Sequence, residues 1–537
     1  MNDEVGGADC AAVKDKNAYN ATECDTDNEK ELHNAAPWDE RAISNNSDVD
    51  IAKKLALDAA DVLLTPEEDK KLVRKIDLNM FPLMCLLYAV QYMDKASSSN
   101  AAIMGLRTDL KMKGNQYSWV GSSFYFGYLL GLFTLPPLLQ KSNHFMKLLC
   151  LIIISWGLVL ALHAAPTVNY ASFIFLRCLL GFLESAITPA FTIITSQYWK
   201  TEEHFLRVCL WFGFNGLGGI WGSAMAYGLY DHKDSYSIPA WRLVFLVTGC
   251  ITIFVGFLMI VHLPDSPEKA WFLSNHEKIL LVKRIQGNQQ GFGNHRIKKY
   301  QIAEAFKDVR TWLYFLYSVA SQIPNGGLGN FQTILFHGEF KFSTKKTLLI
   351  SLGTNAVEWV GCPLFGWLSY RCYKRNTNFL NSRLCWAFIS ITLVFTGVCM
   401  LAFADKSKNS KMAGLFLYQL APVAFICILS SISSNTLGFT KKWTVSSINL
   451  VAYAAANIAG PHTFIDSQAP DYNGAKIAIV VCYAAALVII ATLYLVNLRE
   501  NRKRDTYQDI GKKSGDKLDA GFNDLTDFEN LEFRYAL

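Results

Sequence analysis

Hydrophobic residues in this 537-residue chain do not alternate with polar ones but gather in long runs. Each run is about 20 residues, the length a helix needs to cross roughly 30 Å of hydrocarbon. The windows are 78–99, 117–139, 147–165, 170–196, 207–230, 241–263, 312–335, 346–368, 383–404, 412–435, 444–465 and 475–497. Continuous apolar runs exclude a β-barrel, whose strands alternate, and twelve of them exclude a seven-helix receptor. Six windows, a polar loop, then six more predict an all-α integral membrane protein of two six-helix bundles, with a site at their interface near the bilayer midplane. The expected division is an acidic, partly disordered tail over 1–75, bundles over 76–263 and 312–497, a central loop over 264–311, and a second tail over 498–537.

Composition sharpens this picture. Charged residues make up 18% of the chain, against about 25% in a soluble protein. The formal net charge of +6 hides an asymmetry, because acids outnumber bases over residues 1–75. The surplus bases stand in the central loop (Lys278, Lys283, Arg284, Arg296, Lys298, Lys299) and just after the last window (Arg499, Arg502, Lys503, Arg504). The positive-inside rule places both regions, and with twelve spans both termini, in the cytosol. Bases that flank membrane spans speak for lipid and against nucleic acid as partner, and the chain is expected to work as a monomer. No basic start leads into an apolar core at the N-terminus, so a cleaved secretory signal is not expected. Cys85, Cys150, Cys178, Cys209, Cys250, Cys427 and Cys482 fall within windows at no metal or redox spacing, and read as small apolar residues. Sequons at Asn20 and Asn45 fall in the tail assigned to the cytosol and receive no role.

Local signals add detail. Thr65-Pro66-Glu67-Glu68 reads as a helix start, opening a helix that lies along the membrane surface. Asn288 to Asn294 carries too many glycines and amides for a continuous helix. Gly213, Gly216, Gly219 and Gly222, with no strand before them, are close-packing residues and not a phosphate loop. No zinc signature, nucleophile elbow or Walker sequence occurs, so neither a hydrolase nor an ATP-driven pump is expected, and no metal or cofactor.

Charges inside membrane windows are costly unless paired or solvated, and by default mark function. Asp94 and Lys95 either end the first span at the outer interface or face a cavity within it; the uncharged run Ala96–Gly105 favours a helix that continues. Arg177 and Glu184 lie seven residues apart, on nearly one face and about 10.5 Å apart along the axis. That separation forbids direct contact, so each needs another partner: substrate, a proton, or the first-span pair. A buried carboxylate binds protons reversibly, which makes Glu184 the leading proton site, with a structural network as its rival. Glu358 is a second proton site or a structural acceptor. Gln322-Ile323-Pro324-Asn325-Gly326-Gly327 is expected to interrupt the seventh span, either as a device that exposes polar groups such as Gln322 and Asn325 to a substrate path or as a packing kink. Asn449, Tyr453 and Asn457, at four-residue steps, form a stripe that lines the path or bonds neighbouring helices.

Six plus six spans with Arg177, Gly181 and Glu184 in the fourth resemble the major facilitator superfamily. The loop after the second span there carries an Asp-Arg motif that is degenerate here, at Gln140 to Lys147, with a fainter echo at Gly366 to Arg375. Asp94-Lys95 resembles the Asp-Arg pair of the anion:cation symporter family, and Leu180-Gly181-Phe182-Leu183-Glu184-Ser185 its fourth-span acidic motif. Tyr198 to Glu203, Asn288 to Tyr300, Lys441 to Ser447 and Asp524 to Asn530 are similar to strings of the fungal allantoate permease branch. The resemblance implies proton coupling through the residues matching Asp94 and Glu184, and carboxylate binding at Lys95, where a lysine replaces the planar fork of arginine. It further implies uptake of a small anion with protons across the plasma membrane, the anion being allantoate or a related ureido acid, with small dipeptides as a further class. A permease for a vitamin or a sulfur-containing acid, an exporter, and a transporter-like nutrient receptor signalling through its tails stand as alternatives.

Overall fold

The computed structural model describes residues 64–142, 144–286, 298–374, 382–404, 407–510, 525–530 and 532–537. Of the acidic, partly disordered tail expected over 1–75, residues 1–63, with Asn20 and Asn45, lie outside the described residues, as do Asn288 to Asn294, Arg296 and Arg375. Among the described residues every regular element is helical, and each predicted window holds one span. The first six are Phe81–Ala101, Gln116–Lys141, Phe145–Leu162, Tyr170–Glu184 continued by Ile187–Tyr198, Thr201–Asp231 and Ala240–His262. The second six are Val309–Gly338, Thr344–Lys374, Arg383–Phe403, Lys408–Tyr418 continued by Ala421–Asn435, Phe439–Ala459 and Asn473–Ile510.

Nine helices among the described residues are long and apolar enough to cross a membrane, and spans 5, 7 and 11 fall outside that set. Their polar side chains explain the shortfall: Asn215 in span 5, Gln322 and Gln332 in span 7, and Asn449 and Asn457 in span 11 are buried or face the interior. Span 12 is the opposite case, with only 28% of its apolar stretch buried and the rest left for lipid.

Span 5 is held between the bundles by its glycines. A Cβ on Gly216 would meet the Trp359 backbone, and one on Gly213 would meet Pro363, both in span 8; one on Gly218 would meet Ala89 and one on Gly222 Met93, both in span 1. Close backbone approach of this kind replaces the hydrophobic drive that lipid cannot supply.

The expected break in span 7 is not there: Val309–Gly338 is one helix with Pro324 inside it. Proline removes a single backbone donor. Gly326 and Gly327 do not loosen the turn; they admit span 11, since side chains there would overlap Asn457, Gly460 and Phe464. The breaks fall instead in the fourth span of each half, at Ser185–Ala186 and Gln419–Leu420. Pro189 and Pro422 lie four residues after Ser185 and Tyr418, and a proline ring clashes with the carbonyl four residues before it. The two halves therefore open their helices at matching places, and both places border the central cavity.

On the side of the bundle that carries both described termini, charged clasps tie the helix ends. The helix Pro66–Asn79 starts as expected, with a reciprocal cap between Thr65 and Glu68, and joins the first bundle through Asp77–Arg207 at 3.0 Å and the central-loop helix Asn275–Gln286 through Asp69–Arg284 at 2.7 Å. In the second bundle the final residues fold back beneath spans 7, 10, 11 and 12. Asp527, fully buried, meets Lys441 at 2.7 Å and Arg310 at 3.2 Å, while the Ala536 amide donates to Asn435 at 2.7 Å. Burial pushes the Tyr535 hydroxyl well above the usual tyrosine range, so it stays protonated and donates to Asp527 at 2.8 Å.

Candidate functional site

Between the bundles lies a cavity of about 250 Å³. It reaches the terminus-bearing side, where His204, Phe205, Arg383, Ser433 and Ser434 line its mouth. The opposite side is sealed by bonds between bundles. Thr333 donates to the Ser99 carbonyl at 2.7 Å, Tyr117 to the Asn330 carbonyl at 3.1 Å, and Ser122 to the Ile458 carbonyl at 2.7 Å. An ion pair joins Asp231 to Lys345 at the same side.

Two kinds of side chain dominate the lining, aromatic and amide. The aromatic set is Tyr88, Tyr92, Tyr125, Tyr128, Tyr418 and Tyr453; the Tyr453 ring of span 11 stands 6.0 Å from Tyr125 and 5.9 Å from Tyr128 of span 2, bridging the bundles. The amide set is Gln91, Asn215, Gln322, Asn325, Gln332 and Gln419. Amides carry donors and acceptors together, so this lining suits a ligand with several N–H and C=O groups.

The structure sorts the residues expected from the sequence. Span 1 runs through Asp94 and Lys95 to Ala101, so both lie inside a helix and not at its end. Consecutive helical residues point about 100° apart, and the pair separates accordingly. Lys95 lines the cavity, its Nζ 5.9 Å from the Tyr125 ring centroid and with no carboxylate within 4.0 Å among the described residues. Asp94, 1% exposed, turns behind it to accept from Trp156 Nε1 at 2.7 Å and to face Arg177 at 4.0 Å. Arg177 is outside the cavity lining, flanked by the Phe173 and Phe245 rings at 5.5 and 5.1 Å. The seven-residue gap from Arg177 to Glu184 is thus resolved by two different partners. Glu184 lines the cavity and accepts from Gln91 at 2.8 Å, leaving its second carboxylate oxygen unpartnered. Glu358 also lines the cavity, 2% exposed, with no ion pair or hydrogen bond among the described residues. Lys95, Glu184 and Glu358 thus line one and the same cavity.

In the second bundle Gln322, Asn325 and Tyr453 line the cavity, whereas Asn449 and Asn457 do not. Asn449 accepts from Ser318 at 2.6 Å, and Asn457 accepts from Asn325 at 3.0 Å while donating to Gln322 at 3.3 Å. The stripe on span 11 thus splits, one member facing the path and two pinning span 7. Residues absent from the sequence expectation are Gln91, Asn215, Gln332, Gln419 and the tyrosines other than Tyr453. An amide within an apolar run is a signal for the first four; a tyrosine gives none, because tyrosines also serve membrane interfaces.

A family model described as Major Facilitator Superfamily matches residues 84–461. An allantoate permease of Saccharomyces cerevisiae is 58% identical over 490 residues, covering 91% of this chain and 90% of that protein. A thiamine pathway transporter of the same yeast is 32% identical over 509 residues, covering 93% and 91%. Among solved structures, an inward-facing, occupied bacterial homolog of the human lysosomal transporter Spinster aligns with a TM-score of 0.55 at 13% identity. The alignment covers 77% of this chain and 95% of that one, a likeness of fold.

Proposed function

The chain belongs to the Major Facilitator Superfamily, a family of transporters and not of enzymes, and from that premise we propose that it is a proton-coupled symporter carrying allantoate or a related ureido acid into the cell across the plasma membrane. The observation that carries this reading is a lysine, Lys95, that shares one cavity with two buried glutamates, six amides and six tyrosines. Allantoate is a carboxylate bearing two ureido arms. Lys95 supplies the counter-charge, and the amide lining supplies the mixed donors and acceptors that ureido groups require.

Charge balance supports coupling. Arg383 stands at the mouth, so in the depth of the cavity two ionised glutamates against Lys95 leave the site negative and hostile to an anion. A proton taken up by Glu184 or Glu358 removes that excess, so the substrate and the proton favour each other's binding. Bringing a monoanion into a cell that is negative inside costs about 2.3 kcal/mol per 100 mV, and one accompanying proton cancels this. With the termini in the cytosol, as the flanking bases favour, the cavity opens inward and the sealed side faces out. Asp94 and Arg177 then form a pair behind the site, holding spans 1, 3 and 4 in register.

A relative that aligns over as much of the chain at 32% identity is named for the thiamine pathway, so the ligand rests on the nearer likeness together with the amide lining. The test is uptake of labelled allantoate at acidic pH in yeast lacking its own permease, with and without a protonophore. Uptake abolished by the protonophore supports substrate and coupling together. No uptake from a correctly localised protein refutes the substrate.

A further inference from the structure

Beyond the central cavity, toward the sealed side, lies a second chamber of about 50 Å³ between spans 1, 5, 7 and 8. Both spaces are lined by Tyr92, Lys95, Asn325, Gly329 and Gln332, so Lys95 stands at the threshold between them. By the measure in which one water needs about 10–15 Å³, the chamber admits roughly four water-sized groups. That is the heavy-atom count of one ureido group, and too little for a whole organic acid.

The chamber's polarity is specific. Among the described residues no carboxylate lines it. Ser99 donates to the Ala96 carbonyl at 3.1 Å, Ser351 to the Thr347 carbonyl at 3.0 Å and Thr354 to the Ser351 carbonyl at 3.0 Å. Each hydroxyl hydrogen is thereby committed to a backbone oxygen, and the lone pairs remain as acceptors. Asn100, 2% exposed, lines the same space with Nδ2 lacking any partner among the described residues. Such a buried donor costs about 1–3 kcal/mol until it is satisfied. Of the four amides that line the chamber, Asn325, Gln332 and Asn355 donate to protein partners, so the hydroxyl acceptors and the one unpartnered amide donor complement a group with several N–H donors and one carbonyl. The hydroxyl acceptors repel a carboxylate, which only accepts.

We propose that this outer chamber is a subsite for one ureido arm of a diureido acid. This deepens the function proposed above and rests on it. Lys95 takes the carboxylate at the threshold, the second arm lies against the amide lining of the central cavity, and the outer arm enters the chamber, where Asn100 donates to its carbonyl. A chain of bonds from Gln419 to Gln332 at 3.1 Å and from Gln332 to Thr354 at 3.3 Å links the two spaces, so an occupied chamber is felt at the break in span 10. The chamber therefore selects two-armed acids over one-armed ones.

The test compares diureidoacetate (allantoate) with ureidoacetate as unlabelled competitors of labelled allantoate uptake, in wild type and in Asn100→Leu and Thr354→Val. The ratio of the two inhibition constants is expected to shift at least fivefold toward ureidoacetate in Asn100→Leu, and in the same direction in Thr354→Val. A smaller change, or equal loss of both ligands, overturns the subsite. Should a variant fail to reach the membrane, Ser351→Ala and the thermal stabilisation of purified protein by each acid give the same ratio. Absence of allantoate uptake by wild type overturns the underlying function, and the subsite with it. Uptake with an unmoved ratio overturns the subsite alone.

Discussion

Replacing Lys95 with Met keeps the length and apolar volume of the side chain and removes only its charge. Lys95 Nζ has no carboxylate within 4.0 Å among the described residues and rests against the Tyr125 ring at 5.9 Å. Nothing in the free protein has to be broken for it to engage an anion. Its contribution to binding is then that of a hydrogen bond to a charged group, about 1.5–3 kcal/mol. At 1.4 kcal/mol per tenfold, KM for the anion rises about 12- to 150-fold. The other cation among the lining residues, Arg383, sits at the mouth, donating to Ser430 at 2.7 Å with its guanidinium 5.8 Å from the Phe205 ring, and is not placed to substitute. Lys95→Arg retains the charge but brings a longer planar fork, so its KM falls between those of wild type and the Met variant. The assay is initial-rate uptake against concentration at fixed acidic pH, normalised to protein at the cell surface. A Met variant whose KM stays within threefold of wild type refutes Lys95 as the anion site.

Three further outcomes follow from the same geometry. Glu184→Gln keeps the hydrogen bond from Gln91 within reach but cannot exchange a proton, so uphill accumulation is lost while substrate counterflow persists; full uphill uptake sinks the proton role. Asp94→Asn leaves Arg177 buried beside an uncharged partner, a loss on the order of 3–5 kcal/mol. Its sign is a lower apparent melting temperature in detergent, relieved in part by Arg177→Met in the same chain; unchanged melting shows that the pair does not hold the spans. Deleting residues 525–537 removes Asp527 from Lys441 and Arg310, which should lower the melting temperature and loosen the ends of spans 10 and 11, seen as faster proteolysis there. Equal protection with and without the tail argues against the clasp.

The number of spans and their places were legible in the sequence because lipid imposes one length and one polarity on every membrane helix. The twelve windows needed no knowledge of neighbours. Glu184, Glu358 and Lys95 were legible as well, since a charge in an apolar run is costly wherever the helix lies. The break in span 7 was misread because Pro324 and its glycines look alike in sequence whether they interrupt a helix or admit a neighbour; the approach of Asn457 and Gly460 decides between the two. Equally, Asp94 and Lys95 are adjacent in sequence, yet one faces Arg177 and the other the cavity. Helix rotation relative to spans 3, 4 and 7 makes that choice, and rotation is set by packing across the bundle. Which charges pair, which face substrate, and which amides share a cavity are relations among residues up to hundreds of positions apart. Only the tertiary structure brings them within the few ångströms over which they act.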